Sequence, residues 1–308
     1  ARLRRPGGTT SLMAGGTAAE LAAGSTLAGA TWLAVATADR PTGHSGARIR
    51  RAAAIDEATA VEVGAPLLAE EQEIGWDGTD VVARRVRRLG ALVLVERPIP
   101  DPDPALLAAA LRQGLTEVGL SLLTWTDAAR ALRARLAFCH AALGEPWPDV
   151  SDAGLLAALD SWLGPDLATA RRRADLRRID VATALRRLLP WPQAARLDEL
   201  APERITVPSG SRIRVDYTDP TAPVLAVKLQ ETFGWQDAPR IAAGAVPVLL
   251  HLLSPAGRPV AVTRDLASFW RTGYHQVRAE LRGRYPRHPW PEDPTSATAT
   301  RRVQPRTR

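Results

Sequence analysis

The chain has 308 residues, of which 45% are hydrophobic and 24% charged, and its formal net charge is +7. This length allows two or three domains, and the composition excludes wholesale disorder. Because Cys139 is the only cysteine, internal disulfides and thiolate metal cages are excluded. Lys228 is the only lysine, so the positive charge is almost all arginine, which binds phosphates and carboxylates well. A GC-rich gene would explain arginine replacing lysine, but it would not explain the net charge.

The first forty residues show no targeting or membrane segment. The arginines of residues 2–5 precede Pro-Gly-Gly, where a signal peptide would have an apolar run. Residues 21–38 are uncharged, but they lack the leucine, isoleucine and phenylalanine content of a membrane helix. We expect a loop that leads into a strand, in a protein without a membrane anchor that resides in the cytoplasm.

The first third of the chain has the pattern of β-structure. Residues 31–40 and 47–56 resemble two strands around a turn-rich loop, and Asp77-Gly78 marks a tight turn before further strands. Arg48 and Arg50 alternate with Ile49, so both arginines are expected on one face of their strand. We predict a small barrel-like β module over residues 1–103.

The period then changes to that of helices, over a predicted helical region at 104–207. The segment "PDPDP" at 100–104 separates it from the β module. Thr126 is a plausible N-cap and Gly144 a plausible end for a helix between them. Residues 151–164, 171–189 and 191–202 repeat the amphipathic pattern and predict three more helices.

The last third returns to strands before one final helix. Residues 211–217 and 223–235 flank a turn, as do 246–254 and 259–265, which predicts two hairpins. In the helix that follows, the packed side is expected to be Phe269, Tyr274, Val277 and Leu281. We predict an α+β fold with a C-terminal α+β domain at 208–294 and a mobile basic tail at 295–308.

The sequence shows no convincing catalytic or metal-binding motif. Asp56-Glu57 follows an apolar stretch, as in a Walker B strand, but no glycine-rich loop ending in Gly-Lys-Ser/Thr accompanies it. An aspartate that starts a turn is the simpler interpretation. Residues 13–21 contain glycines without that lysine. No HExxH or GxSxG motif is present, and five histidines are scattered along the chain: His44, His140, His251, His275 and His288.

The arginine runs at 84–88 and 171–187 allow two interpretations. A solvated face with carboxylate neighbours is the more common one, and contact with nucleic-acid phosphates is the other. Aromatic rings mixed with arginine near the C-terminus could likewise anchor a core or stack on unpaired bases. These rings are Trp270, Tyr274, Tyr285 and Trp290.

Several stretches together resemble a known family. "VKLQETFGW", "PVLLHLLSPAGRPVAVTRDLASFW" and "VRAELRGRYPRHPWPEDP" resemble the C-terminal domain of bacterial HrpB-type DEAH-box ATP-dependent helicases. "LAGATWLAVATADR" with "ARIRRAAAID" resembles the oligonucleotide-binding (OB)-like module of that family. The resemblance covers nearly all of residues 1–294. It implies a parent protein whose two RecA-like motor domains bind ATP and magnesium, although the motor motifs are absent from this sequence.

The resemblance implies an accessory part of a helicase with no turnover of its own. Its expected partners are single-stranded RNA or DNA and the motor domains, in cis or in trans. The arginines of the first β module are the first candidates for strand contact: Arg48, Arg50 and Arg51. Second candidates are Lys228, Arg271, Arg282 and Arg284, and Tyr285 and Trp290 are expected to form a closing clasp. The alternatives are a scaffold whose basic face binds an acidic protein, and a self-sufficient enzyme.

Overall fold

The computed structural model describes residues 1–5, 8–40 and 46–301. It forms two compact units. The first contains residues 1–118 and 167–175, and the second contains 119–166 and 176–308. The mixed α/β architecture agrees with the predicted fold class, whereas the predicted division at 103 and 207 stays a prediction. Among the described residues, no helix combines the length and the hydropathy that crossing a bilayer requires.

The first unit begins with a closed five-stranded barrel, whose strand order is β1-β2-β3-β5-β4. Strand β4 closes the ring on β1, and β3 and β5 pair in parallel. Ala19, Leu33, Ala47 and Ile49 form its core. The strands are β1 (Arg2–Leu3), β2 (Thr10–Leu12), β3 (Ala18–Glu20), β4 (Trp32–Asp39) and β5 (Ala47–Ile55).

A separate three-stranded antiparallel sheet follows the barrel, so the predicted β module consists of two parts. Helix α1 (Glu57–Val63) comes between them, because Asp56 accepts a hydrogen bond from Thr59 N and starts a helix where β5 ends. The sheet is then followed by helix α2 (Pro104–Val118), whose Gly114 lies against the ring of Trp76. The strands are β6 (Leu68–Trp76), β7 (Val81–Leu89) and β8 (Leu92–Pro98), in that order.

The turn between β7 and β8 contacts the barrel closely. Ala91 N donates to Ala14 O at 2.8 Å. Gly90 has a φ of +58, and a Cβ at this position would lie 2.3 Å from the same carbonyl oxygen. This close approach requires glycine.

The longest helix of the second unit, α3 (Asp127–Leu143), begins and ends where the sequence predicts. Thr126 accepts from Ala129 N, and Gly144 ends the helix with a φ of +67. The prediction of one continuous helix over 151–164 and another over 171–189 is wrong, because each segment is interrupted. They are divided into α4 (Asp152–Ala157), α5 (Leu159–Trp162), α6 (Gly164–Leu167), α7 (Arg173–Leu176) and α8 (Val181–Arg186).

Aspartates near the helix starts explain part of this division. Asp180 accepts from the backbone amides of Ala182 and Thr183 and so starts α8. Asp175, inside α7, instead accepts from the amides of Arg171 and Arg172, which precede that helix. The predicted helix near residue 191 is present as α9 (Trp191–Leu200).

A five-stranded sheet follows, in the order β15-β14-β11-β10-β9. The two predicted hairpins are present as β10–β11 and β14–β15, and β11 pairs with β14 in parallel. A small ribbon of β12 (Arg240–Ile241) and β13 (Val246–Pro247) lies outside this sheet. The sheet strands are β9 (Arg204–Thr206), β10 (Arg212–Asp216), β11 (Val224–Lys228), β14 (Leu249–Leu253) and β15 (Pro259–Thr263).

The final helical segment contains α10 (Leu266–Ser268), a π-helical turn (Phe269–Gly273) and α11 (Tyr274–Arg282). Phe269 and Tyr274 are buried as predicted, and Trp270 is buried with them.

The predicted mobile tail has fixed contacts over its first part. Gly234 N donates to Pro294 O at 3.0 Å, and Thr300 N donates to Gln230 O at 3.0 Å. The side chain of Arg301 donates to Ser209 O. These backbone and side-chain contacts hold the segment as far as Arg301, and residues 302–308 lie outside the described part of the chain.

Candidate nucleic-acid interface

Strand β5 presents Arg48, Arg50 and Arg51 to solvent on the outside of the barrel. Arg48 and Arg50 flank the buried Ile49, as the alternation predicts. Arg51 is exposed too, because the β4–β5 register shifts between Val35 and Thr37 and again after Thr37. The two irregularities break the period of two, and Ala52 then packs on the barrel core. We call Arg48, Arg50 and Arg51 the barrel face.

Carboxylates on the neighbouring strands partly neutralise the barrel face. Arg50 binds Asp39 through two hydrogen bonds, Nε to Oδ1 at 2.9 Å and Nη2 to Oδ2 at 2.8 Å. These bonds hold the pKa of Asp39 below its usual value. Arg48 lies in register with Glu20 on one side and Asp39 on the other. With the residues that the structure describes, Arg48 and Arg51 form no ion pair.

Three arginines of β7 follow the first of the two predicted interpretations, since they form ion pairs across the strands, whereas Arg87 is exposed and forms no ion pair with the described residues. Arg84 Nε lies 2.7 Å from Glu73 Oε2, and its Nη1 lies 3.0 Å from Glu96 Oε2. Arg88 also pairs with Glu73, and the hydrogen bonds from both arginines lower the pKa of that carboxyl. Arg85 lies 3.6 Å from Glu70. Glutamates of the neighbouring strands therefore bind the guanidinium groups of Arg84, Arg85 and Arg88.

The run at 171–187 does not form one basic helix face. Arg171 lies 3.7 Å from Asp101, and Arg173 N donates to Asp80 at 2.7 Å. Arg187 donates to Trp162 O at 2.7 Å and also pairs with Asp166. Arg171, Arg173 and Arg187 therefore serve local contacts, whereas Arg186 is exposed and forms no ion pair with the described residues.

The second candidates lie at different places in the second unit. Lys228 ends β11, and it is close enough to His288 to help lower the pKa of that imidazole after burial, the larger cause. Arg271 is exposed and lines a cavity of about 410 Å³ with Trp270. Arg282 is the last residue of α11 and Arg284 follows it, both exposed. These four residues are thus distributed over β11, the π-helical turn, α11 and the segment that follows α11.

The segment that carries Tyr285 and Trp290 is bound to α11. Trp290 Nε1 donates to Tyr285 O at 2.9 Å, and Arg278 Nε donates to Trp290 O at 2.9 Å. The guanidinium of Arg284 lies 5.8 Å from the centroid of the Tyr285 ring. Tyr274 donates its hydroxyl proton to Pro291 O at 2.9 Å. Both aromatic residues are partly buried in this arrangement.

Among the described residues, no group of three or more histidine, cysteine or carboxylate side chains has the geometry to hold a metal ion. His44 lies outside those residues. Burial raises the pKa of the Cys139 thiol to about 12, so the thiolate is disfavoured.

Similarity to known proteins is found over both units. Residues 162–294 match the HrpB_C family, "ATP-dependent helicase C-terminal". Over 295 residues the chain is 39% identical to the ATP-dependent RNA helicase HrpB of Escherichia coli K12. This alignment covers 95% of the chain and 36% of that protein.

Two solved structures agree with this match. The crystal structure of the E. coli DExH-box NTPase HrpB aligns with 98% of the chain and 38% of its own length, with 38% identity and a TM-score of 0.64. A second, of the E. coli DEAH/RHA helicase HrpB, aligns with 94% of the chain and 36% of its own length, with 35% identity and a TM-score of 0.56. The chain thus spans little more than a third of these relatives.

Proposed function

We propose that the chain, which is similar to the C-terminal region of HrpB-type ATP-dependent helicases, supplies single-stranded nucleic-acid contacts and domain scaffolding to such an enzyme. The ATPase motor would be provided by other domains, in cis or in trans. ATP and magnesium would bind to that motor and not to this chain. Its location in the cytoplasm stays a prediction.

The positions of two residues support the absence of a nucleotide site in this chain. A phosphate cradle needs a glycine-rich loop that leads into a helix starting with lysine and serine or threonine. Lys228 instead ends a strand and precedes a 3-10 turn, Leu229–Glu231. Asp56 follows β5 of the barrel and caps α1, so it does not have the position of a Walker B aspartate in a RecA-like domain. We expect the purified chain to hydrolyse no ATP.

The barrel face is the proposed first contact for the strand, and the exposure of Arg48 and Arg51 without an ion pair is the observation that carries this proposal. A closed five-stranded barrel is the architecture of OB modules, which bind oligonucleotides on one face, and we propose that this barrel is one. Lys228, Arg271, Arg282 and Arg284 are proposed as secondary contacts. Tyr285 and Trp290 are proposed to close the C-terminal segment by packing.

A salt titration tests this function. A fluorescent oligo(U) of about 15 nucleotides should bind the chain, and affinity should fall steeply as salt rises. The double variant R48Q/R51Q should bind more weakly, and the slope of log affinity against log salt should shrink by about 1.4, or about 0.7 for each phosphate contact. The matched control is R87Q/R97Q, which removes two exposed charges of the same unit from the three-stranded sheet.

A gain of binding provides a second check. D39N removes the negative charge and one of the two oxygens that accept from Arg50, so the barrel face gains positive charge and affinity for oligo(U) should rise. No binding by any form at low salt would contradict the proposal and favour the scaffold that binds an acidic protein. An equal loss in R87Q/R97Q and R48Q/R51Q would assign binding to net charge instead of the barrel face.

A further inference from the structure

Two adjoining cavities lie between α3 and the strands β9 and β10, within the second unit. Their volumes are about 460 and 290 Å³. Both are lined by Asp127, Ala131, Arg135, Glu203 and Arg214, so they form one groove, which we call the arginine groove. The cationic side chains that line it are Arg130, Arg135, Arg186, Arg204 and Arg214.

Two of the five arginines are already neutralised. Arg130 pairs with Asp127 at 3.4 Å. Arg135 is buried, pairs with Glu203 at 3.2 Å and with Asp198, and donates to the carbonyl of Ala201 at 2.7 Å. These contacts give Arg135 a structural role, and they also use Glu203, one of the groove's carboxylates.

The remaining three arginines have no carboxylate partner among the described residues, and Arg204 Nη1 donates only to the main-chain carbonyl of Arg212, at 3.0 Å. Arg204 on β9 lies directly opposite Arg214 on β10 in the antiparallel register, and both are exposed. Side chains opposite each other in such a pair have Cβ atoms about 4.5–5.5 Å apart, where like charges repel. With the residues that the structure describes, neither of them nor Arg186 forms an ion pair.

The one remaining carboxylate of the groove, Asp216, only partly offsets this charge. It accepts from the amide and the hydroxyl of Thr218 at 2.9 and 2.6 Å. These two hydrogen bonds are the main cause of its lowered pKa, and Arg214 and His251 contribute less. An anion between Arg204 and Arg214 would convert their repulsion into two attractions.

An exposed tryptophan near the groove favours a nucleic acid as the source of that anion. Trp191 is 82% exposed at the start of α9, five residues after Arg186. Five residues span at most about 18 Å. A flat indole in solvent stacks well on an unpaired base, and the guanidinium groups match phosphate. An acidic peptide would neutralise the arginines but would offer few flat groups for the indole.

We propose that the arginine groove binds the phosphate backbone of a single-stranded nucleic acid. Arg186, Arg204 and Arg214 contact the phosphates, and Trp191 stacks on a base. The site shares no residue with the barrel face, although it rests on the proposed function in requiring that the chain binds nucleic acid.

The test uses the whole chain with labelled oligo(U) and oligo(dT) in a salt series. R204Q/R214Q should weaken binding and reduce the slope of log affinity against log salt by about 1.4. W191A should weaken binding by about fivefold or more and leave the slope unchanged, because stacking releases no counterions. The matched control is R212Q/R258Q, which removes two exposed charges of the same unit that do not line the groove. Its affinity and salt slope should change much less than those of R204Q/R214Q, because these two residues are not proposed to contact phosphate.

Weaker binding of both oligonucleotides by R204Q/R214Q supports the groove, because the phosphodiester is common to RNA and DNA. If R48Q/R51Q weakens binding while R204Q/R214Q and W191A do not, the groove is overturned and the proposed function stands. If R212Q/R258Q weakens binding as much as R204Q/R214Q, the groove is overturned in favour of bulk charge. Polyglutamate that binds the parent but not R204Q/R214Q, without any binding of oligonucleotide, would overturn both proposals. Circular dichroism of each variant verifies that it is folded.

Discussion

The same side chain, arginine, has different roles in this protein according to the residue that lies opposite it. Arg84 and Arg88 face Glu73 and bind it. Arg50 is bound by Asp39. Arg204 faces another arginine across the strand pair. A guanidinium that already binds a carboxylate has to leave it before it can bind a phosphate, so the arginines without a carboxylate are the better candidates for a ligand.

The opposition of Arg204 and Arg214 predicts a measurable effect on stability in the absence of a ligand. R214Q removes a like-charge pair and should raise the free energy of unfolding by about 0.2–1 kcal/mol. Urea denaturation at low salt measures the change, and added salt should reduce it by screening. R212Q is the control, because Arg212 lies opposite Thr206 and its replacement should have almost no effect. A rise of the same size in R212Q would attribute the effect to net charge.

At the scale of secondary structure, the sequence predicts elements whose signals are local. Helix α3 has its N-cap at Thr126 and its end at Gly144 as expected, because both signals lie within one turn of the helix. The division of 171–189 into two helices was missed, since the amphipathic period continues while Asp180 caps a new start. The parallel pairing of β11 with β14 joins strands more than twenty residues apart, and no local pattern specifies it.

The β7–β8 turn provides a prediction at this scale. Gly78 and Gly90 both have positive φ in turns of the same sheet, but only Gly90 faces a neighbouring carbonyl, that of Ala14. Alanine at either position should cost about 1–2 kcal/mol for the backbone conformation. G90A should cost a further amount of about 1–3 kcal/mol, because its Cβ would overlap the Ala14 oxygen. Thermal or urea denaturation compares the two variants, and equal costs would show that this contact contributes little.

The amino-acid sequence alone does not predict much of the candidate site. The predicted placement of Arg48 and Arg50 on one face of β5 is confirmed. The exposure of Arg51 follows from irregularities in the β4–β5 pairing that the sequence does not mark. The arginine groove combines α3 with strands about seventy residues later, and of its arginines only Arg186 lies in a run that the sequence marks for possible phosphate contact. Charge runs are visible in a sequence, whereas the carboxylates that neutralise them come from other strands and are not.

For the molecule as a whole, two units with separate cores predict two unfolding events. Each unit has its own buried apolar residues, such as Leu33 in the first and Leu225 in the second. G90A should lower the temperature of one transition. R135Q should lower the other, because it removes the guanidinium donor to the buried carbonyl of Ala201 at a cost of about 1–3 kcal/mol. Calorimetry with both variants measures this, and a single transition that both variants shift equally would contradict it.

The composition of the first unit affects how the protein is made. Residues 167–175 belong to this unit, and Arg173 N donates to Asp80 within it. A ribosome builds the chain from its N-terminus. The barrel and the three-stranded sheet are therefore synthesised before residues 167–175, which belong to the same unit. Assembly of the first unit therefore finishes only after about fifty residues of the second have been translated, and a gene cut at position 118 would encode a product without its last piece.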